Sequence, residues 1–217
     1  MSTSALHDLS RREPHAPRRP DFHALLGHAA WLRLPAAVRA RFGADTHVEV
    51  TYCGVCTVHA SLPGRWLAQL CRLIGTPVAP HVGEDVPMTV RVMDTAAGIV
   101  WERHYEFAGR EPVVVRSTKQ LDEDGTLIEA VNARLHMRLK VYETDGELHF
   151  LSTGYFFRVG PWRAQLPDWF LPGVTHVVHR DLGNDSFRFV MDTNHHWFGR
   201  MFFQDGVFRQ GGVRSST

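Results

Sequence analysis

Leu135-His136-Met137-Arg138-Leu139-Lys140-Val141, then the dipeptide Asp145-Gly146 and the run Glu147 to Val159, is the stretch that decides the fold. Leu135, Met137, Leu139 and Val141 alternate with Arg134, His136, Arg138 and Lys140, a period of two that gives a strand one apolar and one wet face. Asp-Gly between two such runs signals a tight hairpin turn, so Ala133 to Thr144 and Glu147 to Val159 are expected to pair antiparallel. The same pattern recurs outward from this hairpin. Upstream lie Pro87 to Asp94, Ile99 to Phe107 and Val113 to Asp122; downstream lie Val174 to Leu182, Ser186 to Thr193 and Arg200 to Arg209. Turn signals separate them at Thr95-Ala96-Ala97-Gly98, Asp122-Glu123-Asp124-Gly125 and Gly183-Asn184-Asp185. His47 to His59 reads as the first strand, with Gly54 marking a bulge. No segment between Val86 and Gly160 is long and periodic enough for a crossover helix, which excludes a βαβ architecture.

The expected fold is therefore mainly β, of the α+β class. About nine antiparallel strands form a meander that curls into a barrel or half-barrel, because a sheet with one apolar face must enclose or cover it. Phe22 to Phe42 has helical spacing at Leu25, Leu26, Ala29 and Leu32, with Asp21 as N-cap and Pro35 dividing the run into two short helices. Trp66, Leu67, Leu70, Cys71, Leu73 and Ile74 predict a further helix over Pro63 to Gly75. These helices are expected to pack on the open side of the sheet. The chain divides into a disordered tail over 1–21, a single β-rich domain over 22–209 and a flexible tail over 210–217. Pro161 to Pro172, with Trp162, Trp169 and Phe170, reads as a packed loop or short helix.

Composition narrows the function classes. With 44% hydrophobic and 22% charged residues the chain is an ordinary globular one. A net charge of +1, with both signs mixed along the 217 residues, gives no field to gather nucleic acid. No run approaches the roughly 18 apolar residues that span a bilayer. Three cysteines, an odd count in a chain whose start lacks the apolar core of a secretory signal, favour reduced thiols and a cytoplasmic location.

Few residues point to catalysis, and no catalytic residue, metal ligand or cofactor is nominated. Cys53-Gly54-Val55-Cys56 has redox-dithiol spacing but lies within a strand pattern, where no helix terminus lowers a thiol pKa, and no second pair completes a zinc site; the two read as core thiols. His176, His179, His195 and His196 look clustered among 14 histidines, yet residues three apart or adjacent on a strand face opposite ways. Glu102, His104 and Glu106 share one face, and opposite-charge ladders with neighbouring strands explain them without chemistry. The apolar face offers more. It is rich in aromatics and methionine, and Arg103 and Arg158 share the parity of apolar neighbours. Tyr52, Trp101, Arg103, Tyr105, Met137, Phe156, Arg158 and Phe189 are therefore the candidate ligand-binding set, with aromatic walls for an apolar body and arginines for a polar head.

Arg158-Val-Gly-Pro-Trp162-Arg163, Leu166-Pro-Asp-Trp169-Phe-Leu-Pro172, Phe187-Arg-Phe189 and Trp197-Phe-Gly199-Arg-Met-Phe-Phe203 stand in a fixed order behind Leu34-Pro-Ala-Ala-Val-Arg39 and Asp85-Val-Pro-Met-Thr-Val90. Together they resemble the bacterial domain-of-unknown-function family numbered four-one-six-six, over Phe22 to Arg209. The first strand departs from that pattern, with Cys53-Gly-Val-Cys56 in place of a run richer in arginine and glycine. The resemblance implies no catalytic residues. It implies that such domains stand alone or are fused behind a saccharopine-dehydrogenase-like NAD(P)-binding domain. Three readings follow: a small binding protein holding a hydrophobic, lipid-like molecule in the curled sheet; an accessory or catalytic partner of an NAD(P)-dependent oxidoreductase; or an interaction module whose Trp162-to-Trp169 loop docks a protein.

Overall fold

Strand pairing runs right round the molecule. The computed structural model describes residues 18–43, 49–73, 81–160, 162–167, 169 and 171–211. In it β1 (Glu49–Ala60), β2 (Gly83–Thr95), β3 (Gly98–Tyr105), β4 (Val113–Leu121), β5 (Leu127–Ala130), β6 (Leu135–Thr144) and β7 (Glu147–Val159) each hydrogen-bond antiparallel to the next. β8 (Trp162–Gln165) and β9 (Val174–Gly183) share the far edge of β7, β8 along Phe156 to Val159 and β9 along Leu148 to Leu151. β10 (Ser186–His195) and β11 (Gly199–Gln210) follow, and β11 returns to β1 with Ala60 opposite Phe202. Ten strands thus close into a barrel, and β8 is an eleventh strand added to β7.

Closure removes every long free edge, the usual solution for an antiparallel sheet of this size. The sequence pattern anticipates nine of these strands. It misses β5, four residues squeezed between two turns, and β8, whose four residues are all exposed and show no alternation. The hairpin turns are as expected: Asp145 and Gly146 have φ of 53° and 76°, and Asn184 and Asp185 have φ of 49° and 56°, the left-handed pair that matches strand twist. Gly54 is different from expectation. Its register is unbroken, opposite Met88 and Phe208, and the irregularity falls between Cys56 and Val58. Glycine is needed at 54 because a Cβ there would collide with the Val207 carbonyl oxygen and the Phe208 ring.

Helices pack at both ends of the barrel. α1 (Phe22–Leu26), α2 (His28–Arg33) and α3 (Ala36–Phe42) are three pieces, not two, since Gly27 at φ 78° interrupts the run ahead of Pro35. Asp21 caps α1 by accepting from Ala24 N at 3.1 Å. They plug the mouth that carries the Asp145-Gly146 turn: Arg33 pairs with Glu143, and Phe22 meets Phe42 and Phe150 edge-on at 5.4 and 5.7 Å. Most of the expected N-terminal tail, 1–17, lies outside the described residues. Its last part lies against the barrel, Arg18 bridging Leu121 and Arg19 pairing with Asp94. Of the expected C-terminal tail, 212–217 lie outside the described residues. At the other mouth α4 (Leu62–Leu73), begun by Ser61 Oγ accepting from Gly64 N, lays Leu67 and Ala68 on Met201 and Phe202. Among the described residues no helix is long and apolar enough to cross a membrane.

Candidate functional site: a cavity inside the barrel

Between the N-terminal plug and α4 the barrel is hollow. A cavity of about 360 Å³ lies within it, in the range of small-molecule sites. Its wall is mostly apolar. Val115, Met137, Phe157, Val177, Phe189 and Met191 come from strands, and Leu67 of α4, Leu171 and Phe202 come from the α4 end.

One wall is charged. Arg103 on β3, Ser117 and Lys119 on β4 and Glu129 on β5 all point inward. Lys119 Nζ lies 3.0 Å from Glu129 Oε2, Arg103 Nη2 lies 3.9 Å from Glu129 Oε1, and Arg103 Nη1 donates to Ser117 Oγ at 3.2 Å. Burial would raise the Glu129 pKa, but Lys119 and Arg103 outweigh it and bring the carboxyl down to about 2. Burial pushes the Lys119 ammonium below its ordinary value, against the attraction of Glu129. The Lys119 ammonium also sits 5.3 Å from the ring centres of Trp101 and Phe150.

His179 of β9 is boxed in by Phe42, Trp101, Phe150 and Phe189. Burial first, then the cations Arg41, Lys119 and Arg103, drive its pKa well below the usual imidazole range, so the ring is neutral. Neither His179 Nδ1 nor Trp101 Nε1 has a hydrogen-bond partner, although both are buried. Other polar groups of the lining pair with one another. Ser152 Oγ accepts from Thr175 N, and Thr175 Oγ1 lies 3.0 Å from Thr193 Oγ1 and 3.2 Å from Tyr155 OH. Tyr105 donates to Gln204 Oε1 at 3.0 Å, and burial lifts its phenol pKa to about 12.

The cavity brings together five of the eight candidate residues, Trp101, Arg103, Tyr105, Met137 and Phe189. Tyr52, Phe156 and Arg158 lie elsewhere. Tyr52 points inward at the plugged end, where it packs edge-on against Phe187 at 5.2 Å under the Arg41 guanidinium. Phe156 and Arg158 face outward because the β6–β7 register shifts between Arg138 and Leu139, leaving Thr153 unpaired. One extra residue exchanges the faces of a strand: Leu148 and Phe150 are in the core below it, and Tyr155 and Phe157 line the cavity above it. Phe156 stacks instead on His136 at 5.2 Å, and Arg158 pairs with Glu123 at 2.8 Å.

A family model described as Domain of unknown function (DUF4166) matches residues 34–208 of this chain. The chain belongs to that family. No curated protein sequence matches it. The matched span of this DUF4166 member begins at Leu34, within the mouth plug, and runs to Phe208 in the closing strand, so it takes in every strand of the barrel.

The other sequence motifs have ordinary structural surroundings. Of the two expected core thiols only Cys56 is one, its thiol pushed up to about 12 by burial, whereas Cys53 on the other face of β1 is exposed. The side chain of Cys71 lies outside the described residues. Outside the barrel Glu49, Arg91, Glu102 and His104 form a ladder across β1, β2 and β3, with Arg91 2.7 Å from Glu49 and His104 2.8 Å from Glu102. His176 stacks on His149 on the outer wall, while His195 and His196 stack on each other ahead of the β10–β11 turn. Among the described residues no three His, Cys, Asp or Glu side chains are grouped to hold a metal ion.

Proposed function

We propose that this domain is a binding protein that holds an elongated, mainly apolar small molecule inside its barrel. The observation that carries this reading is the cavity itself: a barrel plugged at one mouth retains about 360 Å³ of space walled by aliphatic, aromatic and methionine side chains, where a core without a ligand would be filled. Trp101, Arg103, Tyr105, Met137 and Phe189 are the sequence candidates that would meet the ligand, joined by Lys119, Glu129 and His179.

Native mass spectrometry of the protein purified from its own host, followed by solvent extraction, tests this. A stoichiometric apolar ligand is the expected result. Displacement of a fluorescent lipid provides the second arm, in which Val115→Phe, pointing into the cavity, should abolish binding while leaving the fold intact. A wild-type protein with no displaceable site for any lipid probe would sink the reading.

A second reading has its own observation. Trp162 and Trp169, on the connection between β7 and β9, are 79% and 61% exposed, unusual for so large an apolar ring. They suit a docking loop for another protein. Retention of partner capture by Trp162→Ala and Trp169→Ala would count against that role.

A further inference from the structure

The charges inside the barrel do not balance. Arg103 and Lys119 bring two positive charges to a wall to which Glu129 brings one negative, leaving 2 − 1 = +1 away from bulk water. Both Glu129 oxygens are engaged, one by each cation. The other titratable groups turned toward this wall supply no negative charge. His179 is neutral, and Arg41 from α3 adds positive potential, met by a hydrogen bond to the neutral Tyr52 phenol and by the Asp181 carboxylate.

The hydrogen-bond inventory leans the same way. Lys119 carries three N–H donors and Arg103 five, against one carboxylate and the Ser117 hydroxyl. The buried indole N–H of Trp101, on the same wall, has no acceptor. Donors and positive charge are thus both in surplus at one place, in a cavity whose surface is otherwise mostly apolar. An uncompensated buried charge is strongly unfavourable, so an anion seated there is favoured out of proportion to its size.

The geometry points to a long-chain carboxylate as the ligand class, its singly charged head against Arg103 and Lys119 and its tail among Met137, Phe157, Phe189 and Leu171. This inference rests on the reading of the cavity as a ligand site. A neutral head would leave the surplus charge in place, and a dianionic head would overshoot it.

The test uses the full-length protein at neutral pH and three ligands with one tail: hexadecanoate, hexadecanol and hexadecyl phosphate, each displacing a fluorescent alkyl probe with an uncharged head. Hexadecanoate is expected to bind at least about tenfold tighter than the alcohol, as one desolvated charge pair can supply. Arg103→Met should bring acid and alcohol to within about twofold of each other, and Arg103→Lys should keep most of the preference. Equal affinity for acid and alcohol in the wild type overturns the carboxylate inference and leaves the cavity reading standing. Tightest binding of the phosphate overturns the choice of a monoanion. Failure of all three to displace the probe, or of the probe to bind, overturns both readings. Where Arg103→Met does not fold by circular dichroism, the wild-type series alone decides.

Discussion

Lys119 on β4 and Glu129 on β5 are direct cross-strand partners, and their side chains meet inside the barrel with Nζ 3.0 Å from Oε2. Glu129→Gln removes the one negative charge and leaves two buried cations unpaired. Breaking a buried pair from one side costs about 3–5 kcal/mol, so the midpoint of thermal unfolding should drop by roughly 6–20 °C for a chain of this size. Lys119→Met added to Glu129→Leu should recover part of that loss. An unchanged midpoint for Glu129→Gln would mean that the pair is hydrated.

The same carboxyl sets an acid limb. Its folded-state pKa, about 2, lies below the unfolded value of about 4.3. A depressed carboxylate pKa means that the unfolded chain binds the proton more readily. The stabilisation is thus complete above about pH 4.3 and is lost as pH falls toward 2. Unfolding midpoints of wild type and Glu129→Gln, followed from neutral pH downward, should converge over that interval. A constant gap through pH 2 would contradict the assignment.

Alternation revealed which face of each long strand is apolar because one face of every strand meets the interior, and Asp145-Gly146 and Gly183-Asn184-Asp185 marked turns because left-handed φ is demanded there. Arg103 was legible as a cavity residue for the same reason, a charge at apolar parity. Lys119 carries the same signal, at the inward parity of Val113, Val115 and Ser117, but a single lysine near the end of a strand reads as its exit to solvent. Glu129 was hidden because β5 is too short to display a period. Arg158 and Phe156 were misleading for a physical reason. The register shift beside Thr153 reverses the faces of β7, and its one mark in the sequence, Gly154 at φ 149°, is the same strand glycine that at Gly54 accompanies an unbroken register. Closure itself depends on Ala60 meeting Phe202, a contact between chain ends that local periodicity does not encode.

Gly54 should tolerate no side chain. A Cβ would press on the Val207 carbonyl and on Phe208, and the nearby backbone cannot rotate away as a side chain would. Gly54→Ala must therefore push apart the β1–β11 seam that closes the barrel, at a cost of about 1–3 kcal/mol or more. Chemical denaturation reads that loss directly. An alanine variant as stable as wild type would show that the seam yields.

The two thiols of β1 should differ sharply in reactivity. Cys53 is exposed, and Cys56 is buried with its thiol 3.6 Å from Met88 Sδ and its pKa near 12. At pH 8 only about one Cys56 in 10⁴ is thiolate, before access is considered. In a Cys71→Ser background a disulfide reagent should modify Cys53 under native conditions and Cys56 only on unfolding, as mapped by peptide mass. Rapid native labelling of Cys56 would show the seam opening.

Phe42 links the mouth plug to the cavity wall. Its ring lies 5.4 Å from Phe22, 5.9 Å from Trp101 and 5.0 Å from His179, so one side chain joins α1 and α3 to β3 and β9. Phe42→Ala should cost about 3–5 kcal/mol through lost burial and the void left behind. It should also do something that an ordinary core truncation does not. With the plug loosened, water gains a path to His179 and Trp101, and a bound alkyl probe gains a second way out. Stopped-flow release of the probe should therefore be faster in Phe42→Ala than in Phe208→Ala, a buried truncation on the closing strand away from the cavity lining. Equal release rates at matched loss of stability would make α1 to α3 a purely structural cover and leave exchange to the α4 mouth.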